Sequence, residues 1–466
     1  MRNTRKRQPG RRRPAIAVAL LALVAVLLSA CSSQDPVVVT VVTTPGQTMP
    51  GQPTVTVGTT GDQGAQNVAD GNGDGGATNG GAGSGNGEAG NGATTTGKDE
   101  PRQLAEAIRV VATPKFGSKG VGPNTKATIA VFSGKLSKMT LTGDDGSKVA
   151  GKISEDGSTY TVAERMAFDT TYSYAGEAVA PDKSVKKIAG TFSTVKPKNF
   201  TTAVVQLPEN ATVGVAAPLI ITFFPAITNK AEAEKALSVM TSRGKIEGSW
   251  GWVQDEDFTG KGYKQSQVHF RPKAFWPANT KVTITAKLAG VDMGGGQWGK
   301  SDFTRSVNIG RDLRIVADVN SFHLVVWKDG KIWRNYPVSY GRTTEKGTIT
   351  VSGMHIIQEK YPVFKMSNPQ FGYYNLPEKW AQRINNNGEF IHSNEATEKA
   401  GFLGKKNVSH GCVNMSLKDG KELYDATLYG DPVDVTGTEV KMSPKDYIYD
   451  WAYTYEEWKT LSALGS

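Results

Sequence analysis

Phe390-Ile391-His392-Ser393 and Val408-Ser409-His410-Gly411-Cys412-Val413-Asn414-Met415-Ser416 are the two stretches on which the rest of the chain depends. The 466 residues contain two cysteines, and Cys412 has a histidine two residues before it and another, His392, twenty before it. A free cysteine is usually a small buried hydrophobe. With imidazoles to hand it becomes a candidate nucleophile, because a thiol is mostly protonated at neutral pH and a neighbouring base can take its proton as sulfur attacks. Both His392 and His410 qualify as that base from the residues alone; in an extended segment His410 points to the same face as Cys412. Gly411 permits a tight bend, and the amides of Gly411 and Cys412 are candidate donors to an oxyanion. Asn414 offers both a donor and an acceptor to a substrate's peptide groups.

Working outward, short apolar runs predict a mostly β domain over residues 310–437 with one or two helices. Arg314–Val319, Phe322–Trp327 and Ile332–Val338 read as strands, the last two joined by a hairpin turn at Asp329-Gly330. Thr348–Val351, Phe390-Ile391 and Val433–Val435 read as further strands, Trp380–Asn385 as a helical turn, and Lys418–Leu428 as the clearest helix. His323 and His355 lie in strand-like runs and read as structural. Residues 438–466 form an aromatic tail with Trp451, Tyr453, Tyr455 and Trp458 at near-helical spacing, expected to pack on this domain.

Upstream, Val/Thr/Tyr-rich runs between Gly, Asn and Asp turns predict two immunoglobulin-like β-sandwiches, at 101–197 and 198–309. Tyr160-Thr161-Val162, Met166-Ala167-Phe168 and Thr171–Ala175 parallel His269-Phe270-Arg271, Lys273-Ala274-Phe275 and Thr280–Ile284, as in a tandem repeat. Lys230–Met240 reads as one helix, His269 as structural, and Trp250 and Trp252 as core. Neither module holds a reactive cluster.

The first thirty residues read as an address. Arg2, Arg5, Lys6, Arg7 and Arg11 to Arg13 precede the apolar run Ala15–Leu28, too short to span a bilayer as a stable helix but suited to a secretory leader. The ending Leu28-Ser29-Ala30-Cys31 resembles the lipobox of bacterial lipoproteins, which implies a signal peptide over 1–30 and lipidation of Cys31. The leader contributes +7 of the formal net charge of +10, so the basic pI argues little for nucleic acid. Residues 31–100, Gly-rich from Gly71, cannot build a core and read as a disordered tether, with an r.m.s. span of about 40–50 Å. With Cys31 lipidated, Cys412 has no cysteine partner in the chain, and a lone thiol in an oxidising compartment is explained by reactivity.

The pairing of Phe390-Ile391-His392-Ser393 with Ser409-His410-Gly411-Cys412-Val413-Asn414 resembles the signature of the L,D-transpeptidases, the YkuD-type catalytic domain. Tandem immunoglobulin-like modules before it and an aromatic tail after it resemble the multidomain, membrane-anchored members. The resemblance implies a transpeptidase of cell-wall peptidoglycan. Its cysteine would attack the carbonyl of the third residue of a tetrapeptide stem, release the terminal D-alanine from a thioester acyl-enzyme, and pass the acyl group to another stem's amine as a 3→3 cross-link. It further implies His392 as base, oriented by the backbone carbonyl of Ser393, a supporting role for His410 at the nucleophile and oxyanion site, and Ser409 as a substrate-binding residue. Tyr374 and Met366 match substrate-pocket positions. Neither cofactor, metal nor nucleic acid is implied; the partners are donor and acceptor stem peptides and a lipid anchor. The place is the extracytoplasmic face of a bacterial membrane, reaching into the wall. Thr344–Thr348 lacks the proline common in the family, and the lid segment Tyr361–Lys379 departs from its pattern, which bears on the acceptor. Alternatives with the same acyl-enzyme are L,D-carboxypeptidase hydrolysis and attachment of proteins to peptidoglycan. Rivals of other classes are a zinc hydrolase using His392, His410 and Cys412, and a non-catalytic wall-binding lipoprotein. Chelators separate the former, and covalent labelling of Cys412 by a carbapenem the latter.

Overall fold

The computed structural model describes residues 107–443 and 448–465, so the expectations for the leader, Cys31 and the tether fall outside the described residues. The fold is mainly β. Two four-stranded sheets enclose the first core: Arg109–Thr113, Thr128–Phe132, Thr159–Val162 and Gly151–Ile153 against Lys148–Val149, Lys135–Gly143, Thr171–Val179 and Val185–Ser193. Alternation drives this burial. In Thr171–Val179, Tyr172 and Tyr174 turn inward onto Phe192 while Thr171 and Ser173 face water.

The second sandwich pairs a four-stranded with a six-stranded sheet. The strand Gln265–Pro272 is buried at every residue, which simple alternation does not explain. Val268 and Phe270 enter the sandwich core, and His269 and Arg271 on the opposite face are covered by the C-terminal tail. Trp250 and Trp252 pair with Phe270 and Val268 in the core, and the Trp252 indole donates to Glu234 at 2.8 Å.

Four local expectations are corrected. Helix Lys230–Lys235 stops early and Leu237–Thr241 continues as a strand, because its alternating side chains pair with Thr280–Ala286. Trp380–Asn385 is no helical turn: Tyr373–Arg383 is one strand, bulged between Lys379 and Gln382, with Trp380 at φ +55°. Thr348–Val351 is irregular backbone, its threonines buried to support the Cys412 loop. The tail packs on two surfaces: residues 438–442 bond to Thr350 and Ser352 as expected, whereas the aromatic stretch beyond turns to the second sandwich. Trp451 and Trp458 donate to the carbonyls of Ala216 and Ser249, and the Arg271 guanidinium lies 4.6 Å from the Trp451 ring centre. These aromatics cover the polar face of Gln265–Pro272, a surface that tail spacing alone does not reveal.

In the third domain Leu313–Asp318 lies between His323–Lys328, antiparallel, and Pro432–Thr436, parallel. Lys331–Pro337 and Gly353–Ile356 complete that five-stranded sheet. Asp329 and Gly330 both take positive φ in the hairpin turn, which is why Asp-Gly suits it. A second sheet runs Glu359–Asn368, Tyr373–Arg383, Phe390–Ser393, Val413–Met415. Leu324, Val326, Tyr340, Ile391, Val413 and Leu423 fill the core. Helix Leu417–Ala426 begins at Ser416, whose hydroxyl accepts from the Asp419 amide at 3.0 Å. Among the described residues no helix is long and apolar enough to cross a membrane.

Candidate active site

Strand Phe390–Ser393 is buried at all four residues and pairs in parallel with Val413–Met415, setting His392 beside Asn414 and Cys412 just ahead of the paired segment. The strand is clamped from behind. The Ser393 hydroxyl donates to the Ser416 carbonyl at 3.1 Å, and helix Leu417–Ala426 approaches so closely that a Cβ on Gly420 would lie 2.2 Å from Ser393 Oγ. This fixes the Ser393 carbonyl, 3.1 Å from His392 Nδ1. The same nitrogen lies 3.4 Å from Glu378 Oε2.

Cys412 is half-buried against Met366, Phe390 and Tyr373, with its sulfur 3.8 Å from the Gly388 carbonyl and close enough to His392 to shift the protonation of that imidazole. Burial alone would push the imidazole down. The hydrogen bonds to Cys412 and Glu378, with their charges, overcome it and push His392 up to about 10. The arrangement is therefore a thiol beside a base that holds its proton strongly.

The loop before Cys412 is held by its own hydroxyls. Ser409 Oγ accepts from the Gly411 amide at 3.1 Å and donates to the Cys412 carbonyl at 2.6 Å. Thr350 Oγ1 donates to the Gly411 carbonyl at 2.9 Å. Gly411 sits at φ +120°, and a Cβ there would stand 3.2 Å from Glu389 Oε1, which accepts the Val351 amide at 3.0 Å.

Over the site folds the hairpin of Glu359–Asn368 and Tyr373–Arg383. Its tip is a 3-10 turn, Pro369–Phe371, started by the Asn368 side chain and ended by left-handed Gly372. Phe371 stacks on His410 at 4.4 Å, and Tyr373 lies 5.7 Å from the same ring. Burial, then the charge of Arg342, pushes the His410 pKa down.

Cys412, His392, the Ser393 carbonyl, Ser409, Gly411 and Met366 thus come together. Three expectations change. The Gly411 amide is turned to Ser409 and not toward an incoming carbonyl. Asn414, 4 % exposed, is drawn inward, its amide donating to Thr397 Oγ1 at 3.0 Å. Tyr374 is 76 % exposed, while its neighbour Tyr373 packs against Cys412, because strand alternation presents one of the two to the site. Burial, then Cys412 and Glu378, raises the Tyr373 pKa. Sequence reasoning missed Glu378, Tyr373 and Phe371, which reach the site on the covering hairpin, and Glu389, which directly precedes strand Phe390–Ser393; no motif marks any of them. Among the described residues no three His, Cys, Asp or Glu side chains converge as a metal site.

Residues 312–435 match the family model for the L,D-transpeptidase catalytic domain, and residues 118–292 that for a bacterial Ig domain. The chain is 39% identical over 359 residues to L,D-transpeptidase 5 of Mycobacterium tuberculosis, covering 77% of this chain and 78% of that protein. It is 28% identical over 363 residues to L,D-transpeptidase 2 of the same species, covering 76% and 85%. A solved L,D-transpeptidase from Mycobacterium smegmatis aligns at 26% identity over 51% of this chain and 99% of that one, with a TM-score of 0.41.

Proposed function

We propose, on the premise that the chain belongs to the L,D-transpeptidase family, that Cys412 is the nucleophile of a transpeptidase acting on peptidoglycan stem peptides. The observation that carries this is a half-buried thiol against a fully buried imidazole whose other nitrogen is held by the Ser393 carbonyl. That is the nucleophile–base–orienter pattern of acyl transfer.

With the Cys412 proton held on His392 Nε2, the thiolate attacks the carbonyl of the third stem residue. The C–S bond forms while the carbonyl electron pair moves onto oxygen. The Cys412 amide is the donor to that oxyanion, since the Gly411 amide is engaged with Ser409. Collapse breaks the C–N bond, and His392 returns its proton to the departing D-alanine amine. An acceptor stem amine then attacks the thioester, gives its proton to His392, and expels the thiolate; the product is a 3→3 cross-link. His410, its pKa lowered and stacked beneath the hairpin, supports the loop and does not serve as base.

The enzyme would work at the outer face of the membrane, anchored through Cys31 and carried into the wall on the Gly-rich tether. The support is the ordered succession of basic, apolar and small residues ahead of Cys31. Labelled palmitate incorporated by the wild type and not by Cys31→Ala tests the anchor. The reaction is tested by mass spectrometry of products from a defined disaccharide-tetrapeptide. Cross-linked dimers with loss of one D-alanine are expected; tripeptide alone would make the enzyme a carboxypeptidase.

A further inference from the structure

We infer that Glu378, on the hairpin that covers the site, is a third member of the reacting constellation, a positioning residue that holds His392 as imidazolium and thereby keeps Cys412 as thiolate. The inference rests on Cys412 and His392 being the reacting pair.

The geometry is built. Glu378 is 8 % exposed between two exposed residues, Pro377 and Lys379. Its Oε1 accepts from Asn394 Nδ2 at 3.1 Å, and Asn394 is held at its other end, where Oδ1 accepts the Thr397 amide at 2.8 Å and starts helix Glu395–Lys399. With Oε1 tied back, Oε2 is left 3.4 Å from His392 Nδ1. A buried carboxylate requires a cationic or hydrogen-bonded partner. Lys379 is committed to Glu395 at 3.2 Å, and the ion pair of Glu378 among the described residues is with His392.

The Ser393 carbonyl and Glu378 do different work on the same nitrogen. A neutral carbonyl 3.1 Å away orients the ring. A carboxylate in the same place favours the charged ring over the neutral one, as an opposite charge within about 4–6 Å does, by roughly one to three pH units. The groups facing His392 are Cys412 on the loop before Val413–Met415 and Glu378 on the hairpin, and the Tyr373 phenol feels the charges of both. When a proton leaves the Cys412–His392 pair it comes off sulfur, because Glu378 holds the one on nitrogen. Without that charge the first proton comes off nitrogen, leaving thiol and neutral imidazole.

The test needs no substrate: alkylation of Cys412 by iodoacetamide across pH, read by mass spectrometry on the peptide containing Cys412. In Glu378→Gln the thiolate titration is expected to move up by about one pH unit, a roughly tenfold slower reaction near pH 6.5 that converges with wild type at high pH. Glu378→Asp, which keeps the charge one methylene further off, is expected between them, and it serves alone if the Gln variant does not fold. A profile superimposable on wild type, or one lowered by the same factor at every pH, overturns the inference. A shifted profile in an enzyme that makes no cross-links would instead fault the proposed reaction and leave the coupling standing.

Discussion

Two buried histidines in this molecule each face a carboxylate, and they do opposite jobs. His269 Nδ1 lies 3.0 Å from Asp450, and His392 Nδ1 lies 3.4 Å from Glu378. The first pair joins the second sandwich to the tail, and its Nε2 is buried without a hydrogen-bond partner among the described residues. The second histidine turns its far side to the Cys412 thiol. A His–carboxylate pair is therefore not in itself a site. The first is a structural bolt beside Trp451 and Trp458; the second is the pair the proposed reaction uses, because a thiol lies against it.

Variants at the two pairs are expected to separate cleanly. Cys412→Ala abolishes acylation with the fold intact, since a methyl group carries no thioester; circular dichroism with an acylation assay checks both. His392→Ala lowers the acylation rate about 10²–10⁴-fold without a matching loss in folding. His269→Ala reverses the pattern. It leaves Asp450 buried and unpaired, lowering unfolding stability by about 3–5 kcal/mol in urea titration, while acylation of a small donor below the melting range is unchanged. Loss of acylation in a folded His269→Ala would show the two regions to be coupled. Arg165→Ala, at the exposed pair with Asp302 between the two sandwiches, is expected to cost under about 1 kcal/mol.

The pH dependence sharpens the same contrast. His392 has its folded pKa raised from an ordinary value near 6.5 to about 10. The stability its proton contributes is full below about pH 6.5 and is lost as pH rises through about 10. Acylation by a peptide donor, which needs that proton for the leaving amine, is expected to decline near pH 10, whereas alkylation of Cys412, which does not, stays on its plateau. Parallel decline of both would place the titrating group elsewhere.

Much of the site was legible in the sequence because it is local. Gly411 at a positive φ, Cys412 after it, and His392 at the end of a short strand are tied to one another by adjacent parallel strands. The Asp329-Gly330 hairpin and helix Leu417–Ala426 were legible for the same reason, their turn and cap chemistry lying within a few residues. Glu378 was not. Its direction depends on the bulge between Lys379 and Gln382 and on Trp380 at φ +55°, which reset strand alternation. The choice between Tyr373 and Tyr374 is made nearer the hairpin tip, where the partner strand bulges between Met366 and Asn368 and Asn375 takes φ +52°. The docking of the tail was equally hidden, because aromatic spacing marks a buried face without naming the surface that buries it.

The central claim is tested most directly by quenching wild type and Cys412→Ala with a tetrapeptide donor and measuring intact and peptide-resolved masses. The account predicts wild type carrying the donor's acyl group, less the terminal D-alanine, on the peptide containing Cys412, and no adduct on the variant. An adduct on any other residue, or an equal adduct on Cys412→Ala, would contradict it.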